Sequence, residues 1–186
     1  MTGATRKSFV QVEVIPARAE ESPILANLLQ LYAHDFSEFH DVELGPDGKF
    51  TYNPLPLYWS DPRRRPFLVW VEGKLAGFVL TKRGSVISGD LKVWDLAEFF
   101  VLRAFRRRGV GTRAARQLWR QLPGLWEVRV MQANVSAQYF WARAIYAFTG
   151  MTIEPERVEI DGELWKVFSF CVAGSSERSS EEGSSA

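Results

Sequence analysis

The residues best suited to chemistry stand in one stretch, Asp95-Leu-Ala-Glu98-Phe-Phe-Val101-Leu-Arg-Ala-Phe-Arg106-Arg-Arg-Gly109-Val-Gly111-Thr112. An apolar strand runs into a short turn, then into Arg-x-x-Gly-x-Gly, then directly into an amphipathic helix. The first N–H groups of a helix have no internal acceptor and sit at the positive end of its dipole, so they bind a pyrophosphate wherever side chains leave room. Gly109 and Gly111 keep that approach open, and Arg106, Arg107 and Arg108 add charge-assisted contacts to phosphate oxygens. On the strand ahead of the loop, Asp95 and Glu98 are two carboxylates that could act as a general base. A short Gly-x-Gly alone often marks only a turn. Two other nucleotide signatures do not fit: a third glycine and an early βαβ setting are missing for a dinucleotide fold, and Gly-Lys-Ser/Thr is missing for a Walker loop.

The segments that must hold this loop read as one mixed α/β layer. Residues 9–15 alternate like a strand and end at Pro16; from Ser22 apolar residues recur at helical spacing to Tyr32, with Pro23 suited to the first turn. Residues 34–66 are irregular, with a short helical turn expected at 55–60. Strands are expected at 67–71 and 75–82 around Glu72-Gly73-Lys74, and at 91–101 after a turn at 84–89. Then follow a helix at 112–122, a strand at 127–133, a helix at 136–148, and strands at 152–160 and 163–172 about Asp161-Gly162. No internal repeat is present.

A second segment, Val128-Arg-Val-Met-Gln-Ala-Asn134-Val-Ser-Ala137-Gln-Tyr-Phe140-Trp141, lies downstream of the first. Together the two resemble motifs A and B of the GCN5-related N-acetyltransferases: a strand with Gln/Arg-x-x-Gly-x-Gly/Ala, and a strand followed by Asn-x-x-Ala-x-x-Phe-Tyr. The resemblance covers roughly residues 8–172. It implies a central, mainly antiparallel twisted sheet of about seven strands with helices on both faces, splayed where acetyl-CoA enters. It implies that residues 106–112, including Val110 and Thr112, bind the pyrophosphate of acetyl-CoA. It also implies that Phe100, Val101 and Leu102 flank the pantetheine arm and thioester, with Phe140 and Trp141 on the same side. Asn134 would contact that arm, or would serve as the cap of the following helix. No covalent acyl-enzyme is expected, because Cys171 has no histidine close in sequence.

The pattern is departed from at Trp141, where the family carries the tyrosine that protonates the leaving thiolate; an indole N–H donates a hydrogen bond but is no practical acid. Either Tyr146 or another tyrosine replaces it, or the thiolate leaves unprotonated. For the base, Glu98 is preferred over Asp95. Strict alternation puts the two on opposite faces, and a bulge would change the parity. The acceptor side is expected at the end of the first helix, where Tyr32, Asp35 and Glu38 offer charge pairing and cation–π contact to an amine, with a solvated helix end as the plainer alternative. His34 and His40 lack a third ligand, and no metal is expected. Arg63-Arg64-Arg65 reads as a solvated turn.

The 186 residues fit one domain at 8–172, with loose ends at 1–7 and 173–186, the latter nearly all Ser, Glu and Gly. A formal charge of +1 gives no global pull towards nucleic acid or a membrane surface. One cysteine and no apolar leader fit a cytoplasmic protein. The expected partner is a small-molecule amine acceptor, with a homodimer left open. A module that binds acyl-CoA without turning it over is the alternative, and Trp141 is its support.

Overall fold

The computed structural model describes residues 10–174. The elements are β1 (Val12–Pro16), α1 (Ser22–Phe36), α2 (Leu57–Ser60), β2 (Arg64–Val71), β3 (Lys74–Arg83), β4 (Trp94–Val101), α3 (Val110–Gln121), β5 (Gly124–Met131), α4 (Val135–Thr149), β6 (Glu156–Ile160) and β7 (Glu163–Val172). They build one seven-stranded sheet in the order β1-β2-β3-β4-β5-β7-β6. All neighbours are antiparallel except β4 and β5, which run parallel. The loose segment expected at 1–7 and the part of the expected tail beyond residue 174 lie outside the described residues.

Apolar side chains leave the sheet on both faces, so each face needs a cover. Val14, Val69, Leu96, Val101 and Val128 pack on one face with Ala114, Leu118 and Trp119 of α3 and Ile145 of α4. Leu68, Phe78, Leu80 and Phe100 pack on the other with Leu25, Leu28 and Leu29 of α1 and Tyr58 of α2. Burying a side chain of this size stabilises the fold by about 1.5–3 kcal/mol, so both layers are strongly held.

The feature that shapes the site lies in the middle of β4. Leu80 pairs with Glu98 and Thr81 with Leu96, leaving Ala97 as the extra residue of a bulge. The bulge resets the alternation: Asp95, Glu98 and Phe100 fall on the α1 side, while Leu96 and Val101 stay on the α3 and α4 side. At the same point the sheet divides. β4 pairs with β5 only over Trp94–Leu96 with Trp126–Val128, whereas β5 keeps its β7 ladder as far as Met131 with Trp165. The rest of β4 therefore turns an unpaired backbone edge towards β5.

Element types follow the sequence, but several boundaries shift. α1 continues through His34, Asp35 and Phe36, with Tyr32 stacked on Phe36 at 5.5 Å. β1 starts at Val12, and β2 starts at Arg64, so two of the three arginines expected in a turn are strand residues. β4 starts at Trp94, because the segment before it is held by Glu127, which accepts from Ser85 Oγ at 2.6 Å and Val86 N at 2.8 Å. α3 begins at Val110, which puts Gly111 inside the helix. β5 occupies Gly124–Met131, and β6 is trimmed to Glu156–Ile160.

Candidate active site

The division of the sheet opens a cleft with two lobes that share Tyr32, Phe36, Phe99, Asn134 and Ala137 as common wall. The first lobe, about 480 Å³, lies over the start of α3 and is lined by Val101, Arg103, Arg106, Arg107 and Gly111. Gly109 is the N-cap of α3 in the left-handed region at φ 72°, where a side chain is strained. Arg107 is left-handed too, at φ 61°, a cost a non-glycine residue bears mainly in tightly determined loops. The first N–H groups of α3, at Val110, Gly111 and Thr112, find no acceptor among the described residues. Gly111 has a further role, since a Cβ there would lie 3.0 Å from the Phe140 ring. Glycine at 111 thus lets α4 close against α3 while the helix end stays bare.

The arginines are not equivalent. Arg106 donates from Nε to the Val101 carbonyl at 2.6 Å and from Nη2 to Asp35 at 2.5 Å, and Arg103 donates to Asp35 at 2.6 Å. Burial raises the Asp35 carboxyl, but hydrogen bonds and charge from Arg103 and Arg106 outweigh it and hold it below its usual value. Arg107 lines the lobe without such a partner among the described residues; Arg108 is exposed, lines neither lobe, and its carbonyl accepts from Arg113.

The second lobe, about 290 Å³, lies between α1, β4, the loop at 42–52 and Trp165 of β7. Glu98 is the carboxylate on its wall and accepts a hydrogen bond from the Tyr52 hydroxyl at 3.2 Å. Burial raises the Glu98 pKa; hydrogen bonds from Tyr32 and Tyr52 and the charge of Arg129 offset this only in part. Burial and then the neighbouring Glu98 charge push Tyr32 and Tyr52 upward in turn, so both phenols stay protonated as donors. Arg129 forks onto Asp95, with Nε to Oδ1 at 3.1 Å and Nη2 to Oδ2 at 3.2 Å, and Lys82 stands 3.7 Å from the same carboxylate.

Several expected site residues stand elsewhere. Asp95 is fully buried in this ion-pair cluster and lines neither lobe. Tyr146 is 56% exposed and lines neither lobe, and Tyr139 is more exposed still. Asp35 engages the loop arginines, and Glu38 belongs to the first lobe. Asn134 caps α4, its Oδ1 accepting from Ala137 N at 3.0 Å, while it also borders both lobes. Trp141 is buried edge-on against Phe99 at 4.9 Å and forms a wall of the second lobe. Leu102 and Thr112 line neither lobe, and Val110 is in the core with only its backbone turned to the helix end. Sequence reasoning missed Tyr52, Arg129 and Arg103. Arg129 had a signal: Glu127 and Arg129 alternate as charges in an otherwise apolar strand. Tyr52 had none.

His34 faces Asp35 at 4.0 Å and His40 faces Glu163 at 3.5 Å. The described residues contain no group of three or more His, Cys, Asp or Glu placed to hold a metal, and no helix long and apolar enough to cross a membrane.

Comparison with known proteins agrees with this geometry. No curated protein matches the sequence. Among solved structures, an aminoglycoside acetyltransferase in complex with coenzyme A superposes with a TM-score of 0.66 at 13% identity, over 94% of this chain and all of that one (100%). An acetyltransferase from Thermus thermophilus gives 0.62 at 18% identity, over 87% and 97%. A spermidine N-acetyltransferase from Vibrio cholerae, in complex with CoA and spermine, gives 0.61 at 16%, over 87% and 96%. These likenesses establish the fold. The acetyltransferase (GNAT) family model matches residues 25–150, which span both sequence motifs, both lobes' shared wall and Glu98. The chain therefore belongs to the GNAT family of acetyl-CoA-dependent acetyltransferases.

Proposed function

We propose that the protein transfers acetyl from acetyl-CoA to the primary amine of a small molecule, by direct attack in a ternary complex, with Glu98 as proton acceptor. The observation that carries this reading is Glu98 itself: a carboxylate on the wall of the second lobe, its pKa raised by burial, beside a first lobe whose lining suits an anion. The bare N–H groups of α3 and the Arg107 side chain suit a pyrophosphate. The unpaired edge of β4 suits an amide-bearing arm. Acetyl-CoA supplies the acyl group as a thioester.

The chain's own residues divide the remaining work. An amine attacks only when neutral, so Glu98 takes its proton as the new C–N bond forms, and a pKa above the ordinary carboxylate range makes it a better base near neutral pH. Tyr52 orients that carboxyl group by donating to Oε1. Unpaired N–H groups on the β4 edge would support the developing oxyanion. Tyr32 is the one phenol that lines both lobes among the described residues, and its hydroxyl, kept protonated by its raised pKa, donates to Glu98 and so helps Tyr52 hold that carboxyl group. Structural neighbours named for spermidine, for aminoglycosides and for a protein α-amine support an amine as the nucleophile's class.

A second reading, an acyl-CoA-binding module without turnover, draws support from α4: neither of its tyrosines reaches the cleft, and Trp141 stands there instead. Thermal protection by acetyl-CoA together with amine-dependent release of free thiol separates the two. Protection without thiol release from any of a broad amine panel would favour the module, and absence of both would sink the acetyl-CoA assignment.

A further inference from the structure

The second lobe carries information about its occupant in what its walls contain. Leu29, Ala33, Phe36, Val42, Phe50 and Trp165 line the lobe together with Glu98. The other ionisable wall residue that carries charge is Arg129, and Asp95 already answers it with two hydrogen bonds. Glu98 is thus the one carboxylate that lines the lobe among the described residues. The remaining acids of the neighbouring loop do not change this: Glu38 belongs to the first lobe, and Asp41 and Glu43 are exposed and line neither.

The apolar wall is held in place. Gln30 of α1 clasps Phe50 through both backbone groups, donating to its carbonyl at 2.9 Å and accepting from its N–H at 2.9 Å. Phe50 also bridges Leu44 across the turn between them. Tyr32 and Phe36 are stacked, which fixes the α1 side. A preformed lobe of about 290 Å³ with aromatic walls fits a compact body and one ammonium group. A second ammonium would lose its water against apolar surface with no carboxylate to receive it. Flat rings, in contrast, gain edge and stacking contacts beyond their buried area.

Resting on the acetyl-transfer reading above, we infer that the acceptor is an arylalkylamine: one primary amine on a short apolar linker to an aromatic ring, with the amine at Glu98 and the ring among Phe36, Phe50 and Trp165. Polycationic amines are excluded by the same walls.

The test compares kcat/KM, at saturating acetyl-CoA, for 2-phenylethylamine, hexylamine, spermidine and kanamycin. The expected result is that 2-phenylethylamine exceeds spermidine and kanamycin by about 100-fold or more, and exceeds hexylamine by several-fold. Phe50→Asp, which adds a second carboxylate to the wall, should cut the 2-phenylethylamine value at least ten-fold and raise that for spermidine. A parent protein that prefers spermidine or kanamycin overturns the inference while leaving acetyl transfer intact. So does thermal protection by acetyl-CoA with no turnover of 2-phenylethylamine. Failure of acetyl-CoA to bind at all would strike the underlying reading instead. Should Phe50→Asp not fold, Trp165→Asp serves the same purpose from the opposite wall.

Discussion

The two lobes of the cleft share a wall yet are built by opposite means. The first takes its distinctive features from backbone: the bare start of α3, two left-handed residues at 107 and 109, and the unpaired edge of β4. Its cations are on the surface, Arg103 being 73% and Arg106 40% exposed, and salt screens such charges readily. The second is made of side chains from α1, β4, the loop at 42–52, β5 and β7, with Glu98 raised by burial and Asp95 sealed behind it. A site of peptide dipoles tolerates change in side chains and is sensitive to backbone shape. A site of packed side chains behaves the other way round. The contrast can be tested one residue at a time.

The largest effect is expected behind the second lobe. Asp95 is the carboxylate that Arg129 and Lys82 share, and Asp95→Asn deprives the mostly buried Arg129 of its hydrogen-bonded counter-charge. Breaking a buried pair from one side costs about 3–5 kcal/mol. Urea or thermal unfolding should show a loss of that order, with a much smaller change in the pH profile of the surviving activity. An Asp95→Asn protein of normal stability with a flattened pH profile would make Asp95 the base.

Glu98→Gln is expected to lower the transfer rate by about 10² or more with little change in acetyl-CoA affinity. The pH dependence has a definite sign. The base works when ionised, so the rate falls as pH drops through the Glu98 pKa, and that limb lies above the ordinary value of 4.5. The glutamine variant should lose the limb. Stability should move oppositely. A raised native pKa means that the folded state holds the proton more tightly than the unfolded one, so stability falls as pH rises through the window above 4.5. At neutral pH the glutamine variant should be at least as stable as its parent, so a simple folding defect would not account for the lost rate.

In the first lobe a backbone change should matter most. Gly109→Val puts a β-branched residue at φ 72°, a strain of about 1–3 kcal/mol. If the loop relaxes to relieve it, acetyl-CoA affinity falls by about ten-fold or more. Isothermal titration reads this directly, and an unchanged dissociation constant in a folded variant would place the pyrophosphate elsewhere.

The same contrast explains how much of each lobe is legible in the sequence. The loop at the first lobe is contiguous in the chain, so Arg106 to Thr112 point both to a helix start and to the phosphate chemistry proposed for it. Even there the sequence does not show that Gly111 is needed against Phe140, a contact between helices. The second lobe is assembled from residues as distant in the chain as Tyr32 and Trp165, and no local pattern links them. The parity of Asp95 and Glu98 turns on Ala97, an alanine whose bulge becomes visible only when β3 is laid beside β4. Tyr146 stands outside both lobes for a related reason: a helix tyrosine is read by spacing, but which face is outward depends on what packs behind it.

Asp35 provides the smallest effect and the finest division between the lobes. It stands at the last turn of α1, where an acidic residue near aromatics reads as a contact for a cationic acceptor. The structure gives it to Arg103 and Arg106 instead, at 2.6 and 2.5 Å. These are partly exposed pairs, worth about 0.2–1 kcal/mol, so Asp35→Asn should shift binding by no more than about five-fold. The direction is informative. If Asp35 holds the arginines back from the anion site, its removal frees them, acetyl-CoA should bind more tightly, and the salt dependence of that binding should steepen. The KM for the amine should not change. If Asp35 instead pairs with the acceptor, the amine KM rises and acetyl-CoA affinity stays the same. Measuring both constants at two salt concentrations therefore assigns this carboxylate to one lobe or the other.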